Sequence, residues 1–391
     1  MLKNLPRSTL ISLEPIQLTR PDLDCAEISL FGPGVGECIV LHVGNGRWFI
    51  IDSCLCPETK QPIALRYLAS IGVDVERQVV GILITHWHSD HIKGASTLLK
   101  ACKKATLFCS SALDSTEAYY LASLYKKDVF ANTDKEIAEF GEIVQFLVEQ
   151  KARERLDPVK AKHTFFDFKG DVPARLVAMS PSTVAVTQAI SNLQNIKPKA
   201  GSNRVRNVVP ESENLNAVAI HFTFGGFSAV LGSDLEETGN NKTGWSAVFQ
   251  SNIVEDLSLA VSSLYKVSHH GSKNGHHDRI WSELLVDSPL SIATPYTRSG
   301  LPTSENISRV KALSSAFLVT RRSNSGKKTK RDRMVDREMK AVVKDRKIIN
   351  DKMGHIQIRI INDDIASVAV NDACAEYLHS GSSIESPEQI A

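Results

Sequence analysis

No stretch of the chain offers the roughly twenty consecutive apolar side chains needed to cross a bilayer, so an integral membrane protein is not expected and no membrane partner is assigned. Met1 to Pro15 lacks the apolar stretch and small-residue cleavage site of a secretory signal, which argues against export. Cysteine is scarce. The seven residues Cys25, Cys38, Cys54, Cys56, Cys102, Cys109 and Cys374 are odd in number and scattered, which excludes a secreted disulfide framework and fits buried thiols in a reducing cytoplasm. Cys54 and Cys56 have no second close pair or interleaved histidine, so a structural zinc ribbon is not expected. Charge of one sign is lacking too: the net is only +2, which points neither toward nor away from a polyanionic partner. What is present is 42% hydrophobic residues in 391, enough for a large core in one big domain with an appendage or in two to three ordinary ones.

Glu27 to Asp52 reads as three short strands, Glu27–Phe31, Cys38–Val43 and Trp48–Asp52, divided by the turns Gly32–Gly36 and Gly44–Gly46. A helix at Gln61–Ile71, a buried strand at Val79–Thr85 and a helix near Ala95–Lys100 follow, the alternation of a layered α/β fold. Residues 111–155 carry apolar side chains at helical spacing and read as a helical insertion. Strands are expected again at Ala174–Met179, Ala217–Phe224, Phe227–Leu231, Ser263–Val267, Leu290–Thr294 and Phe317–Thr320, with a polar mobile loop at 196–214. Insertions in layered α/β enzymes gather at the functional rim, so residues 111–155 and 196–214 are expected over or beside the site, controlling access.

Composition changes at Arg321. Residues 321–348 hold twelve Lys or Arg against four acids, about +8, which leaves the rest of the chain near −6. The expected domains are therefore 1–320 and a basic C-terminal extension, 321–391, with one strand near Gly354–Ile361 and a disordered tail. Within the extension Lys327, Lys328, Lys330 and Arg331 are the candidate nucleic-acid contacts.

The chemistry centres on Thr85-His86-Trp87-His88-Ser89-Asp90-His91, where the buried strand runs out. Residues two apart in extended backbone point the same way, so His86 and His88 can share one cation while Asp90 and His91 at the turn address a second. Phe227 to Leu231 ends in Gly-Ser-Asp234, which places a carboxylate at the rim of a sheet, where it can bridge two cations. Asp52 ends the third strand and can orient a ligand histidine from behind. A third cluster, Lys266-Val-Ser-His269-His270-Gly271-Ser272, ends another strand. Its first histidine, His269, is favoured as the ligand, with His270 left open. The remaining histidines, among them His42, His163, His221, His276 and His355, are expected on the surface or around the ligands. Imidazole with carboxylate suits zinc first, with Mn2+ as a substitute, one or two ions in all.

His86-x-His88-x-Asp90-His91, Gly-Ser-Asp234 and a late histidine resemble the metallo-β-lactamase fold superfamily over about residues 25–320. The resemblance implies a four-layer αββα sandwich with metals at one edge. Gly34-Val-Gly36-Glu37, Asp52, Asn214, Asn216 and Lys266…His269-His270-Gly271-Ser272 look like the branch that includes the nuclease-like domain of the bacterial DNA-uptake channel. Two features depart from the pattern. Met179 to Ser182 holds no histidine for the first metal position, which leaves it short of a ligand or completed by a distant residue such as His163. Leu301-Pro302 replaces a His-Pro.

A cation held by Asp90 and Asp234 would activate water, so hydrolysis is the expected reaction. Lys266 and Ser272 beside the late histidine are expected to hold a phosphate oxygen, and the basic segment to follow a nucleic-acid or nucleotide backbone. The expectation is a cytoplasmic phosphodiesterase or nuclease. The alternatives are a hydrolase of small esters, lactams, thioesters or nucleotides, and a regulatory member acting with a protein partner or a second copy of itself. A redox role is not expected, because no flavin- or rubredoxin-like segment is present.

Overall fold

The computed structural model describes residues 13–120, 135–195, 211–321 and 352–378, together with Met334 and Glu338. In chain order β1 (Leu13–Glu14), β2 (Ala26–Gly32), β3 (Cys38–His42), β4 (Trp48–Ile51), β5 (Val79–Ile84), β6 (Thr106–Ser110) and β7 (Leu156–Val159) build one sheet. The strands β8 (Thr164–Phe168), β9 (Ala174–Ala178), β10 (Ile220–Phe224), β11 (Phe227–Leu231), β12 (Ser262–Lys266), β13 (Leu285–Ala293) and β14 (Ala316–Val319) build the other.

Period-two alternation decides the layering. Ile28, Leu30, Ile39, Leu41, Phe49 and Ile51 of the first sheet face Ile220, Phe222, Leu231, Leu264 and Ile292 of the second in one apolar core between the sheets. The opposite face of the first sheet packs on the helices Ile63–Ser70, Ala95–Ala101 and Lys135–Glu149. The outer face of the second packs on Gly244–Gln250 and Ser304–Ala312. The result is the expected four-layer αββα sandwich.

The expected boundary at Arg321 does not hold. β15 (Gly354–Ile361) pairs with β2, β16 (Asp364–Val370) pairs with β15, and β17 (Ala375–Leu378) pairs with β14, so the C-terminal strands complete both sheets. The reason lies in the alternation of His355-Ile-Gln-Ile-Arg-Ile360. Ile356, Ile358 and Ile360 enter the core between the sheets. Gln357 and Arg359, on the other face, hydrogen-bond to buried Glu27 of β2, with Arg359 Nε 2.9 Å from Glu27 Oε2, and the Tyr67 hydroxyl also donates to Glu27. Lys327, Lys328, Lys330 and Arg331 lie outside the described residues, as do 196–210 of the expected loop.

The helix Lys135–Glu149 is present, but as part of the outer layer. Phe140, Ile143 and Leu147 are buried in the core, and Phe140 meets the Trp87 ring edge-on at 5.8 Å. This helix packs beside the metal motif, against Trp87 and the turn Ser89–Ile92; residues 121–134 are outside the described set. All seven cysteines are buried and free, as expected.

His42, His221 and His355 are core residues, not surface ones. Burial pushes His42 and His221 down to about 4 and His355 down to about 3, with Arg359 adding to the effect on His42 and Arg175 on His221. A histidine whose folded pKa lies below its unfolded value of about 6.5 contributes stability that is complete above that pH and lost as pH falls toward the folded value. The unfolding free energy from urea titrations should therefore drop between pH 6.5 and about 4, by about 1.4 kcal/mol per pH unit for each group at most, and His355→Gln should flatten the dependence. An equal pH dependence in wild type and variant would contradict the assignment.

Candidate metal centre

β4 and β5 run parallel, as do β11, β12, β13 and β14, so the carboxyl ends of all six open on one edge of the sandwich. Asp52, the residues His86 to His91, Asp234 and His270 all leave the sheets at that edge, where layered α/β folds bind their ligands.

Asp90, His91, Asp234 and His270 converge, with one ligand atom from each inside a 4.8 Å sphere of mutual distances, and all four are buried. His91 Nε2 lies 3.3 Å from Asp234 Oδ2 and 3.6 Å from Asp90 Oδ2; His270 Nε2 lies 3.2 and 3.4 Å from the same two atoms. Both rings are oriented from behind. His91 Nδ1–H donates to Asp52 Oδ2 at 2.7 Å, and Asp52 is itself fixed by the amide and hydroxyl of Thr85. His270 Nδ1–H donates to the Thr294 carbonyl and hydroxyl, each at 3.1 Å. Each Nε2 is thereby the nitrogen left for a ligand bond.

The donor set fits a divalent cation. His91 Nε2 and Asp234 Oδ1 are buried with no hydrogen-bond partner, an arrangement that costs free energy unless a ligand completes it. Two imidazoles with two carboxylates suit zinc or manganese. Charge balance agrees. Burial would raise Asp90 and Asp234, yet the facing imidazoles His91 and His270 outweigh it and hold both carboxyls low. Burial would lower His270, but Asp234 and Asp90 push it up to about 9, and His91 is raised in the same way. The pocket calls for positive charge. A second convergence, of Glu37, Asp52 and His91, is already satisfied by hydrogen bonds to Lys266, Thr294 and Thr85 and by the His91–Asp52 contact.

His86 and His88 stand beside this tetrad, with His86 Nε2 3.1 Å from His88 Nδ1 and the His86 ring 4.2 Å from that of His91. Where a third imidazole was missing, the Ser180 hydroxyl donates to the Ala217 carbonyl and accepts from the Ala219 amide, so it only ties down the adjoining segment. His163 does not complete the position. It faces Asp157 at 3.4 Å and packs on Phe108 and Phe165.

Three expectations at the late cluster change. His270, not the favoured His269, belongs to the tetrad. His269 Nδ1 lies 2.9 Å from Asn274 Oδ1 and 3.2 Å from Glu236 Oε1, and its Nε2 accepts from Asn214 at 3.3 Å. Both histidines have left-handed backbone, with φ of 46° and 54°, so the chain reverses there and turns the second ring inward. Lys266 is not a phosphate holder: it is fully buried, its Nζ 2.6 Å from Glu37 Oε1. The Ser272 hydroxyl donates to Asn274 Oδ1. Sequence reasoning gave no role to Glu37, Thr294 or Tyr296, whose ring stacks on His270 at 5.4 Å. Only Glu37 carried a signal, its place directly after a Gly-rich turn.

Replacing Asp52 by Asn should weaken Zn2+ affinity about 10- to 100-fold, measured by chelator competition, because the imidazole loses the carboxylate that orients it. Unchanged affinity would remove Asp52 from the site.

Residues 31–160 match the Metallo-beta-lactamase superfamily. Among solved structures, the chain is similar to a B3 metallo-beta-lactamase with an active-site glutamic acid, at 16% identity over 72% of this chain and 79% of that one, TM-score 0.32. It is also similar to the class B3 di-zinc metallo-beta-lactamase LRA-12 from an Alaskan soil metagenome, at 10% identity over 68% and 81%, TM-score 0.31. Zn(2+)-bound PqqB from Methylobacterium extorquens matches at 11% identity over 72% and 84%, TM-score 0.36. No curated protein matches the chain.

Proposed function

We propose that the chain, a four-layer αββα sandwich whose residues 31–160 match the Metallo-beta-lactamase superfamily, is a metal-dependent hydrolase of phosphodiesters in a nucleic acid or nucleotide. One observation supports the substrate class above the others: the basic segment leaves and re-enters the fold beside the metal edge. Arg321, its first residue, donates to the Pro33 carbonyl at 2.7 Å in the loop between β2 and β3. Gly354, which follows the segment, pairs with Gly32. A side chain at Gly32 would collide with Thr320 and with Thr294, the residue that orients His270. The described residues on either side of the basic stretch, Arg321 and Gly354, thus lie next to the candidate centre, and the twelve cations of residues 321–348 belong to the stretch of sequence that Arg321 opens and Gly354 follows, a charge that suits a polyanionic substrate.

Asp90, His91, Asp234 and His270 are the residues that would hold the tighter cation, and His86 and His88 a weaker second one. A cation held there would supply Lewis acidity and would lower the pKa of water toward neutral. Asp52 and Thr294 keep the two imidazole tautomers fixed, and the buried walls keep bulk water from screening the charges.

The test is a hydrolysis screen of the full chain loaded with Zn2+ or Mn2+, covering single-stranded DNA, duplex DNA, RNA, bis(p-nitrophenyl) phosphate, p-nitrophenyl acetate and a chromogenic β-lactam. Cleavage of the phosphodiesters is expected. Turnover of the ester or lactam alone would overturn the substrate class and leave the metal site standing.

A further inference from the structure

We propose that the buried pair Glu37–Lys266 is a positioning element that sets the geometry of the metal centre by holding three ligand-bearing loops at once. The inference rests on the metal reading of the tetrad and not on the substrate class. Lys266 Nζ lies 2.6 Å from Glu37 Oε1 with neither side chain more than 2% exposed. The two residues then reach in three directions. The Glu37 amide donates to the Asp90 carbonyl at 2.9 Å. Lys266 Nζ donates to the Ser233 carbonyl at 3.2 Å, directly before Asp234, and Ser233 itself sits in the left-handed region with φ 46°. Glu37 Oε2 accepts from the Thr294 hydroxyl at 2.5 Å, and that hydroxyl, with the Thr294 carbonyl, receives the His270 Nδ1–H.

Asp90 is carried by the first sheet, Asp234 and His270 by separate strands of the second, so no single element fixes their spacing. The ion pair supplies the missing link. Gly36 makes its approach feasible: with φ 123°, its position tolerates no side chain, since a Cβ would fall 2.8 Å from that of Cys54. A buried ion pair of this kind adds little net stability compared with apolar residues of the same volume, whereas its directional hydrogen bonds specify geometry. Glu37 and Lys266 act through the ligands.

The experiment titrates Co2+ alone into wild type, the double variant Glu37→Gln/Lys266→Met, Thr294→Val and Thr294→Ser, reading affinity and the visible ligand-field spectrum, with thermal unfolding in parallel. The double variant and Thr294→Val should bind Co2+ about 10- to 100-fold more weakly, with a shifted spectrum, while Thr294→Ser restores both. Should the double variant fail to fold, the Val and Ser pair carries the comparison on the same terms. Wild-type affinity and spectrum in the folded variants would overturn the positioning role while leaving the metal site intact. A wild type that binds no Co2+ would overturn the metal reading and this inference with it.

Discussion

Asp234→Ala should lose the tightly held cation and with it nearly all hydrolysis. Asp234 faces both His91 and His270 at 3.2 to 3.3 Å, so its carboxylate is the shared neighbour of the two imidazoles. Outer residues that merely orient ligands are worth about 10- to 100-fold in affinity, so removing a direct ligand should exceed about 100-fold. Withdrawing several kcal/mol of charge stabilisation should lower phosphodiester turnover by about 1,000-fold or more. Metal content after dialysis and turnover at saturating Zn2+ measure the two effects. Asp90→Ala should behave alike. Unchanged stoichiometry in both variants would contradict the site.

Reversing Lys327, Lys328, Lys330 and Arg331 to Glu should uncouple binding from chemistry. Six neutralised phosphates give a plot of log affinity against log salt with a slope of about −5, and losing four of them leaves about −2. At low salt the affinity for single- or double-stranded DNA should fall by several orders of magnitude. Hydrolysis of bis(p-nitrophenyl) phosphate should stay nearly intact, because the tetrad is built from residues 90 to 270. Unchanged binding and slope would make the segment a solvated face or a partner surface. A joint loss of both activities would mean that the segment packs against the centre.

The core of the site was legible because its parts sit where apolar strands end. His86, Asp90, Asp234 and Asp52 all follow buried strand residues, and the parallel pairing of those strands brings them to one edge. The choice between His269 and His270 was not legible. It depends on two successive left-handed residues, a conformation no local pattern announces for histidine. Lys266 misled for a similar reason. A lysine ending a strand beside a histidine suggests an open anion contact, and only the distant Glu37 shows that its charge is already matched.

In the fold, the boundary at Arg321 followed from charge composition, which reports on surface and says nothing of what comes after it. The alternation of Ile356, Ile358 and Ile360 was the signal that residues 354–361 belong to a core, and the polar partners at Glu27 lie more than three hundred residues away. The edge strands β7 and β8 were missed. β7 carries Asp157 and Pro158, a composition that reads against a strand and is tolerated only where one side needs no partner.

The most direct test of the metal centre is X-ray absorption at the zinc edge of the full chain loaded with one equivalent of Zn2+. The site described here predicts two imidazole nitrogens and carboxylate oxygens at about 2.0–2.2 Å with no sulfur, and loss of one imidazole in His270→Ala but not in His269→Ala. Sulfur scattering near about 2.3 Å, or loss of an imidazole on replacing His269 in place of His270, would contradict it.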